Sequence, residues 1–527
     1  MSIFLQTNLN PNLMRQLTKI LIAPVAILSL GSMAPLHSQV MDEHEQIKVI
    51  PIEAGPDAPW TFSLGAVQAV AAEDQLSSEE EGHTQLDQSF GLPQGPLERQ
   101  RPLLEALKET TFEFNFRTFY FDRHDFSGSE KQAWAIGGWL GLKTAYFFDH
   151  IAFGVTGYTS QPIDAPDDRD GTLLLGPRQE GYTVLGELYA DIRIMEGLNI
   201  TVGRKGYDTP FINRNDVRMT PNTFEAIVLQ GRTELGKSST ESDKSPGMNP
   251  DGMGLPSVSK DNKDSVDSDK EVAAPAPSPD KDVASIKYGV GYFNKIKERN
   301  DDFFVSMSRD AGAEVKRGVF AAGALYEKGK FSIGAIDYYS DDIINIAYGE
   351  SKVEIPLVDE WRLKLAGQYT DQGSVGDNLL QGHSFSGHQI GIKLELPVRK
   401  ALFTAAFTHA WGNANLQNPW SGYPGYTSVQ VQDFNRAGES AFLLRAGYDV
   451  PWVDGLSAYA LAVFGTDPDA ATQYRQNEFD FNLQWGPTKG LLKGLSLRLR
   501  YAIVEQHGGN VDNLTDFRAI CNYVIKF

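Results

Sequence analysis

The feature that most constrains this sequence is an alternation of apolar and polar residues with a period of two, in segments of roughly ten residues. The segment LSLRLRY at 495–501 puts three leucines and a tyrosine on one face and a serine and two arginines on the other. The same split occurs at 112–117, 362–365, 390–396 and 478–485. Because successive side chains of a strand point to opposite sides of its sheet, each segment predicts a strand with one apolar and one charged face.

A soluble β-sandwich would alternate in the same way, but two observations favour a membrane barrel. The first is that aromatic residues gather at the ends of segments, where they suit the girdles of a membrane interface. They are Tyr146, Phe147, Phe148, Trp452, Trp485, Tyr523 and Phe527. The second is the last strand, which ends the protein on an aromatic residue. A barrel is also the only membrane form open to the chain beyond its N-terminal region, because no apolar stretch there reaches the roughly 20 residues of a spanning helix.

Short joints between segments alternate with long ones. Tight joints fall at 195–197, 327–330, 356–359 and 451–455, and long ones at 204–221, 371–385, 410–439 and 465–475. Membrane barrels have short periplasmic turns and long external loops, and bacterial single-chain barrels have an even number of strands. The sequence therefore predicts an all-β fold, a transmembrane antiparallel β-barrel of about 18 strands over 111–527.

Three segments lie outside this pattern. Residues 1–39 have the charged, apolar and small-residue order of a secretory signal peptide. Residues 40–110 are acidic and rich in Pro, Gly, Gln and Ala, and predict a poorly ordered periplasmic segment. Residues 236–285 form a low-complexity insert that strand parity places in a periplasmic turn between the sixth and seventh strands.

The net charge of −20 argues against nucleic-acid binding, which needs a clustered surplus of Lys and Arg. The single cysteine, Cys521, excludes an internal disulfide and is expected to be a wall residue. No metal-ligand spacing is found among the histidines, so no metal and no cofactor is expected.

Several segments, in order along the chain, resemble the OprD family of substrate-specific outer-membrane porins. The most specific are RMTPNTF at 218–224, GYPGYTS at 422–428, DFNRAGE at 433–439 and GLSLRLRY at 494–501. The resemblance implies a bacterial outer-membrane location, eighteen strands, constriction loops folded into the barrel, and a row of basic wall residues that guides carboxylates. It further implies transport of small acids, amino acids or short peptides. The ending at Phe527 is similar to the signal that outer-membrane barrels present to the barrel assembly machinery.

Strand parity gives candidate pore residues. The predicted basic ladder is Arg117, Arg362, Lys364, Lys393, Arg445, Arg498, Arg500 and Arg518, and the predicted lumen acids are Glu187, Asp191, Glu395, Glu478 and Asp480. The loop at 204–221 contributes the constriction candidates Arg204, Lys205, Asp208, Arg214, Asp216 and Arg218. A narrow opening in a low-dielectric wall focuses the field of such charges on a solute. The alternative for any one of them is pairing across the wall.

The predicted function is passive, partly selective diffusion of small polar solutes, and no enzymatic activity is expected. Two other functions stay open. One is an outer-membrane hydrolase that uses external carboxylates with His383 or His388, although no Gly-x-Ser-x-Gly motif is present. The other is a structural barrel whose insert at 236–285 binds a periplasmic partner.

Overall fold

A computed structural model describes residues 108–235, 283–357, 361–508 and 512–527. The predicted signal peptide, nearly all of the predicted periplasmic segment and nearly all of the insert lie outside the described residues. Among the described residues, no helix is long and apolar enough to cross a membrane.

The regular secondary structure of the described chain is almost entirely β-strand. The strands are β1 (Thr111–His124), β2 (Glu130–Lys143), β3 (Ile151–Asp164), β4 (Tyr182–Met195), β5 (Leu198–Lys205), β6 (Thr223–Leu235), β7 (Ala284–Lys297), β8 (Val305–Ser306), β9 (Val319–Lys328), β10 (Phe331–Ser340), β11 (Ile344–Pro356), β12 (Arg362–Gly373), β13 (Ser386–Val398), β14 (Ala401–Gly412), β15 (Ser440–Asp449), β16 (Leu456–Gly465), β17 (Arg475–Trp485), β18 (Leu495–His507) and β19 (Leu514–Lys526). Single helical turns occur at Asp167–Arg169, Pro177–Gln179 and Met307–Asp310.

The strands form one closed antiparallel barrel. The last strand, β19, pairs with β1 from Glu113↔Lys526 to His124↔Thr515, which leaves the described sheet with no open edge. At the seam, Phe112 and Phe527 exchange backbone hydrogen bonds of 2.8 and 3.1 Å and their rings stack at 5.9 Å. Strand β8 has two residues and pairs only with β7. Strand β7 also pairs directly with β9, so β8 is not a separate strand of the wall. The wall therefore has the predicted 18 strands.

The two faces of the wall have opposite chemistry. Large apolar side chains lie on the outside, where Leu140 and Ile227 are each 57% exposed. Charged side chains lie on the inside, where Arg500 is 3% and Glu478 0% exposed. A soluble protein would reverse this arrangement, because it would bury its apolar face away from water. The alternation seen in the sequence thus turns its apolar face outward, as a membrane barrel requires.

Several loops at the end of the barrel opposite the chain termini fold into the lumen. Phe211, in the loop at 206–222, packs edge-on against Tyr338, Tyr348 and Tyr423 at centroid distances of 6.0 to 6.2 Å. Tyr423 belongs to the loop at 413–439, so these two loops meet inside the barrel. A third loop, 165–181, buries Leu174 and Leu175 among inward-facing aromatic and alanine side chains of β1 and β2. The loops therefore fill part of the lumen and narrow the path beside them.

Candidate functional site

The strongest candidate site is an arginine-lined pocket between the wall strands β1, β18 and β19 and the loop at 206–222. Its volume is about 100 Å³. Five arginines and one aspartate line it: Arg117, Arg218, Arg498, Arg500, Arg518 and Asp216. The remaining lining residues are neutral. This concentration of positive charge stands in a chain whose net charge is −20.

The wall side of the pocket is set by strand register. Arg500 of β18 lies directly opposite Arg518 of β19, and Arg498 follows two residues along on the same face. Asn482 fixes Arg498, whose Nε donates a 2.6 Å hydrogen bond to Oδ1 of that residue. Period-two alternation thus turns these guanidinium groups inward at neighbouring positions.

The loop side of the pocket is held by Arg117. Its guanidinium makes a two-pronged contact with Asp216, at 2.5 and 3.0 Å, and also donates to the carbonyl oxygen of Arg218 at 2.5 Å. Such forked Arg–carboxylate pairs fix geometry as well as charge. Burial, together with the nearby Arg518 guanidinium, lowers the pKa of Arg218 well below its usual value. A bound anion would relieve that unfavourable charge density.

A buried carboxylate next to the pocket keeps two arginines in place. Asp516 accepts hydrogen bonds from Arg123 at 2.6 and 2.8 Å and from Arg518 at 2.7 and 3.1 Å. The ring of Phe121 lies within 5.0 to 5.4 Å of the guanidinium carbons of Arg123, Arg218 and Arg518. Phe121 and Asp516 therefore position the arginine cluster.

A tyrosine connects the pocket to Arg445, on a strand further along the wall from β18. The ring of Tyr459 lies 4.0 Å from the guanidinium carbon of Arg445, and its hydroxyl accepts a 3.4 Å hydrogen bond from Nη2 of Arg500. Tyr459 of β16 therefore links the arginines of β18 to Arg445 of β15.

Two further predicted ladder residues, Lys364 and Lys393, lie further along the wall, on β12 and β13. Lys393 of β13 and Lys352 of β11 are both register partners of Ala366 in β12, and Lys364 lies two residues from Ala366 on the same face. Glu395 contacts Lys393 at 3.7 Å. Glu395 and Arg445 of β15 are both register partners of Thr404 in β14, so this group lies next to Arg445 along the wall.

Arg362 lies apart from both basic groups, at the end of the barrel that holds the chain termini. It pairs with Glu354 at 3.1 Å, and its side chain is 56% exposed. The structure therefore does not bring Arg362 to the narrow part of the lumen.

Four predicted lumen acids anchor loops. Glu187 accepts a 2.8 Å hydrogen bond from the backbone N–H of Gly206, at the start of the loop 206–222. Asp191 holds the Lys205 ammonium at 3.1 Å. Glu478 accepts the backbone N–H groups of Val431 and Gln432, each at 2.7 Å, and Asp480 accepts that of Gln430 at 3.1 Å. These carboxylates fasten the constricting loops to the wall.

The constriction candidates divide into three sets. Asp216 and Arg218 line the pocket. Arg214 and Asp208 pair with each other within the loop, which gives them a part in loop folding. Lys205 ends strand β5 and faces Asp191.

The prediction that Arg204 lines the constriction is wrong, because Arg204 belongs to β5 and its side chain points to the outside of the barrel. Side chains alternate along a strand, so Lys205 and Arg204 cannot both face the lumen.

Several residues of the site were not predicted from the sequence. The loop at 165–181 has no charge pattern that marks it as inward-folding, yet the carbonyl oxygen of its Thr172 accepts a 2.8 Å hydrogen bond from Arg218. Tyr459 and Asp516 lie on inward positions of predicted strands, so strand parity offered a signal for both. Lys352 is likewise at an inward position of β11.

The histidines considered for catalysis lie outside the pocket. His388 contacts Asp371 at 2.5 Å and stacks on Trp411 at 5.4 Å, on the outward face of the wall. His383 contacts the backbone carbonyl of Gln381 at 2.9 Å. This placement gives the hydrolase hypothesis no support.

A closed 18-strand barrel with an apolar outside, a charged lumen and inward-folded loops defines an outer-membrane porin. Comparison with known proteins agrees. Residues 279–527 match the model of the outer membrane porin, OprD family. No curated protein matches the sequence. The matched part carries β7 to β19 and agrees with the family that the sequence resembles.

Solved structures share the fold. Pseudomonas aeruginosa OccK9 (OpdG) is 19% identical, with a TM-score of 0.63. A BenF-like porin from Pseudomonas fluorescens Pf-5 is 17% identical, with a TM-score of 0.64. Pseudomonas aeruginosa OpdK, solved with vanillate, is 16% identical, with a TM-score of 0.60. Each match covers 80% of this chain and 100% of the other.

Proposed function

We propose that this porin is selective for small organic anions that carry a carboxylate, and that the arginine pocket is the step at which they are selected. The observation that carries the proposal is the lining of the pocket by five arginines against one aspartate. Planar guanidinium groups suit carboxylates because they can offer two parallel hydrogen bonds. Vanillate, with which the structurally similar OpdK was solved, is a carboxylate of this kind.

Transport would proceed by transfer between neighbouring cations. A carboxylate attracted into the narrow path meets Arg498, Arg500 and Arg518 on adjacent inward positions. Each contact compensates part of the hydration that the anion loses, and the next cation lies close enough to take it over. Diffusion is passive, so the direction of net movement follows the gradient.

Liposome swelling tests this proposal. Proteoliposomes are given sodium benzoate or an uncharged sugar of similar size, with wild-type protein or the double variant Arg498→Gln with Arg500→Gln. We expect the variant to lower the benzoate rate by roughly three- to tenfold, because two focusing charges are lost, and to leave the sugar rate within about twofold. Arg475→Gln, at an exposed outward position of β17, is the matched control. Equal benzoate rates in wild type and double variant would refute selection at this pocket.

A further inference from the structure

The outward face of β5, β6 and β7 carries a cluster of charged residues that the pore does not use. Arg204 and Lys295 are both register partners of Glu225. The Arg204 guanidinium contacts Glu225 at 3.4 Å, and the Lys295 ammonium contacts its other oxygen at 3.4 Å. Asn294 donates a 2.9 Å hydrogen bond to the same carboxylate.

This cluster lies among lipid-facing side chains. The large apolar residues around it are exposed: Val202 39%, Ile227 57%, Tyr292 49% and Phe320 47%. Cations on the lipid face of a barrel are strongly destabilising at the bilayer midplane and cost little near its surfaces. A cluster of this kind is therefore expected where polar head groups reach the wall.

The wall formed by β5 and β6 ends close to this cluster. Strand β5 ends at Lys205 and β6 begins at Thr223, and the loop between them folds into the lumen. Arg204 and Glu225 are thus the last outward-facing pair before the external rim. The ring of Phe304 covers the guanidinium of Arg204, at 4.2 Å from its central carbon, and limits its movement.

The cluster has more positive than negative charge. Two cations share one carboxylate, and the side chains of Arg204, Glu225 and Lys295 remain 37%, 28% and 39% exposed. A guanidinium and an ammonium held on either side of one carboxylate, next to apolar surface, match an anionic head group with acyl chains beneath it. We propose that Arg204 and Lys295 bind the phosphate of an outer-leaflet lipid, whose chains pack on the neighbouring apolar residues.

Lipid binding in detergent tests the proposal. The full-length protein is titrated with a bisphosphorylated diglucosamine lipid in mixed micelles, and bound lipid per barrel is measured by native mass spectrometry. Arg204→Gln with Lys295→Gln is expected to weaken binding by roughly tenfold or more, since each surface cation contributes about 1 kcal/mol. The control, Lys328→Gln with Lys526→Gln, removes two cations from the other end of the barrel and should bind like wild type.

Three results would overturn the proposal. One is equal binding by wild type and the Arg204 and Lys295 variant. Another is undiminished binding of the dephosphorylated lipid, which would assign the contact to acyl chains alone. The third is a dimer that forms without lipid and is lost in the variant, which would assign the cluster to contact between copies of the chain. Channel conductance is measured in parallel and should be unchanged in every variant, so a failure here is distinct from a failure of the proposed pore selectivity.

Discussion

Single side chains determine both the charge and the shape of the pore. Asp433, in the loop at 413–439, accepts a 2.6 Å hydrogen bond from the Ser428 hydroxyl. Burial raises the pKa of Asp433 to about 7 from its ordinary 3.8. The protonated carboxyl therefore fits this loop better than the carboxylate does.

A pH dependence of the loop follows from Asp433. The pKa of Asp433 is higher in the folded loop than in the unfolded chain, so protonation of Asp433 stabilises the folded loop. This stabilisation is complete below about pH 4 and is lost as the pH rises through 7. We expect open-channel current noise to increase between pH 5 and pH 8 in wild type. Asp433→Asn keeps an oxygen acceptor for Ser428 without the charge, so its noise should not vary with pH. Equal pH profiles for the two proteins would contradict this assignment.

The sequence predicts whether a single side chain faces the lumen where strand alternation alone decides its orientation. Arg498 and Arg500 stand in an unbroken alternating segment, and both line the pocket. Alternation misplaces Arg204, because the end of β5 cannot be read from a mixed run of polar residues. The role of Tyr459 depends on contacts with residues far away in sequence, which parity does not reveal.

At the scale of elements, the constricting loops are held by carboxylates of the wall. The tip at 430–432 donates three backbone hydrogen bonds to Glu478 and Asp480, and the carbonyl oxygen of Gln430 accepts a further bond from Arg518 at 3.0 Å. Apart from the end of β5, the ends of the barrel strands were predictable from alternation and turn residues. The inward folding of 165–181 was not, because it depends on packing against side chains of β1 and β2.

Removing the carboxylates should release the loop tip. Glu478→Ala with Asp480→Ala loses three hydrogen bonds between the loop backbone and buried carboxyl groups, which destabilises the folded-in loop by roughly 3 kcal/mol. Single-channel recording should then show larger conductance and more frequent transitions than in wild type. Asp371→Asn, on the outward face of β12, is the control, and heat-dependent gel mobility checks that each barrel is folded. An unchanged conductance in a folded double variant would show that these anchors are dispensable.

At the scale of the whole molecule, the barrel has two distinct ends. The constricting loops lie at one end, and the outer ends of the first and last strands, Thr111 and Lys526, lie at the other. Strand β6 ends at Leu235, opposite Ala284 of β7, at the same end as Thr111 and Lys526. The insert between them is therefore predicted to be periplasmic.

Epitope tags test this orientation. A tag at position 260, in the insert, should react with antibody only after the outer membrane is permeabilised. A tag at position 470, in the loop at 466–474, should react on intact cells. Labelling of position 260 on intact cells would invert the predicted topology.

The wall as a whole turns its apolar side to lipid and surrounds a water path lined with cations. Recording purified wild-type protein in a planar bilayer under a potassium chloride gradient tests this arrangement most directly. We expect discrete conductance steps with a reversal potential on the anion side of zero. An absence of steps from folded, inserted protein, or a reversal potential on the cation side, would contradict it.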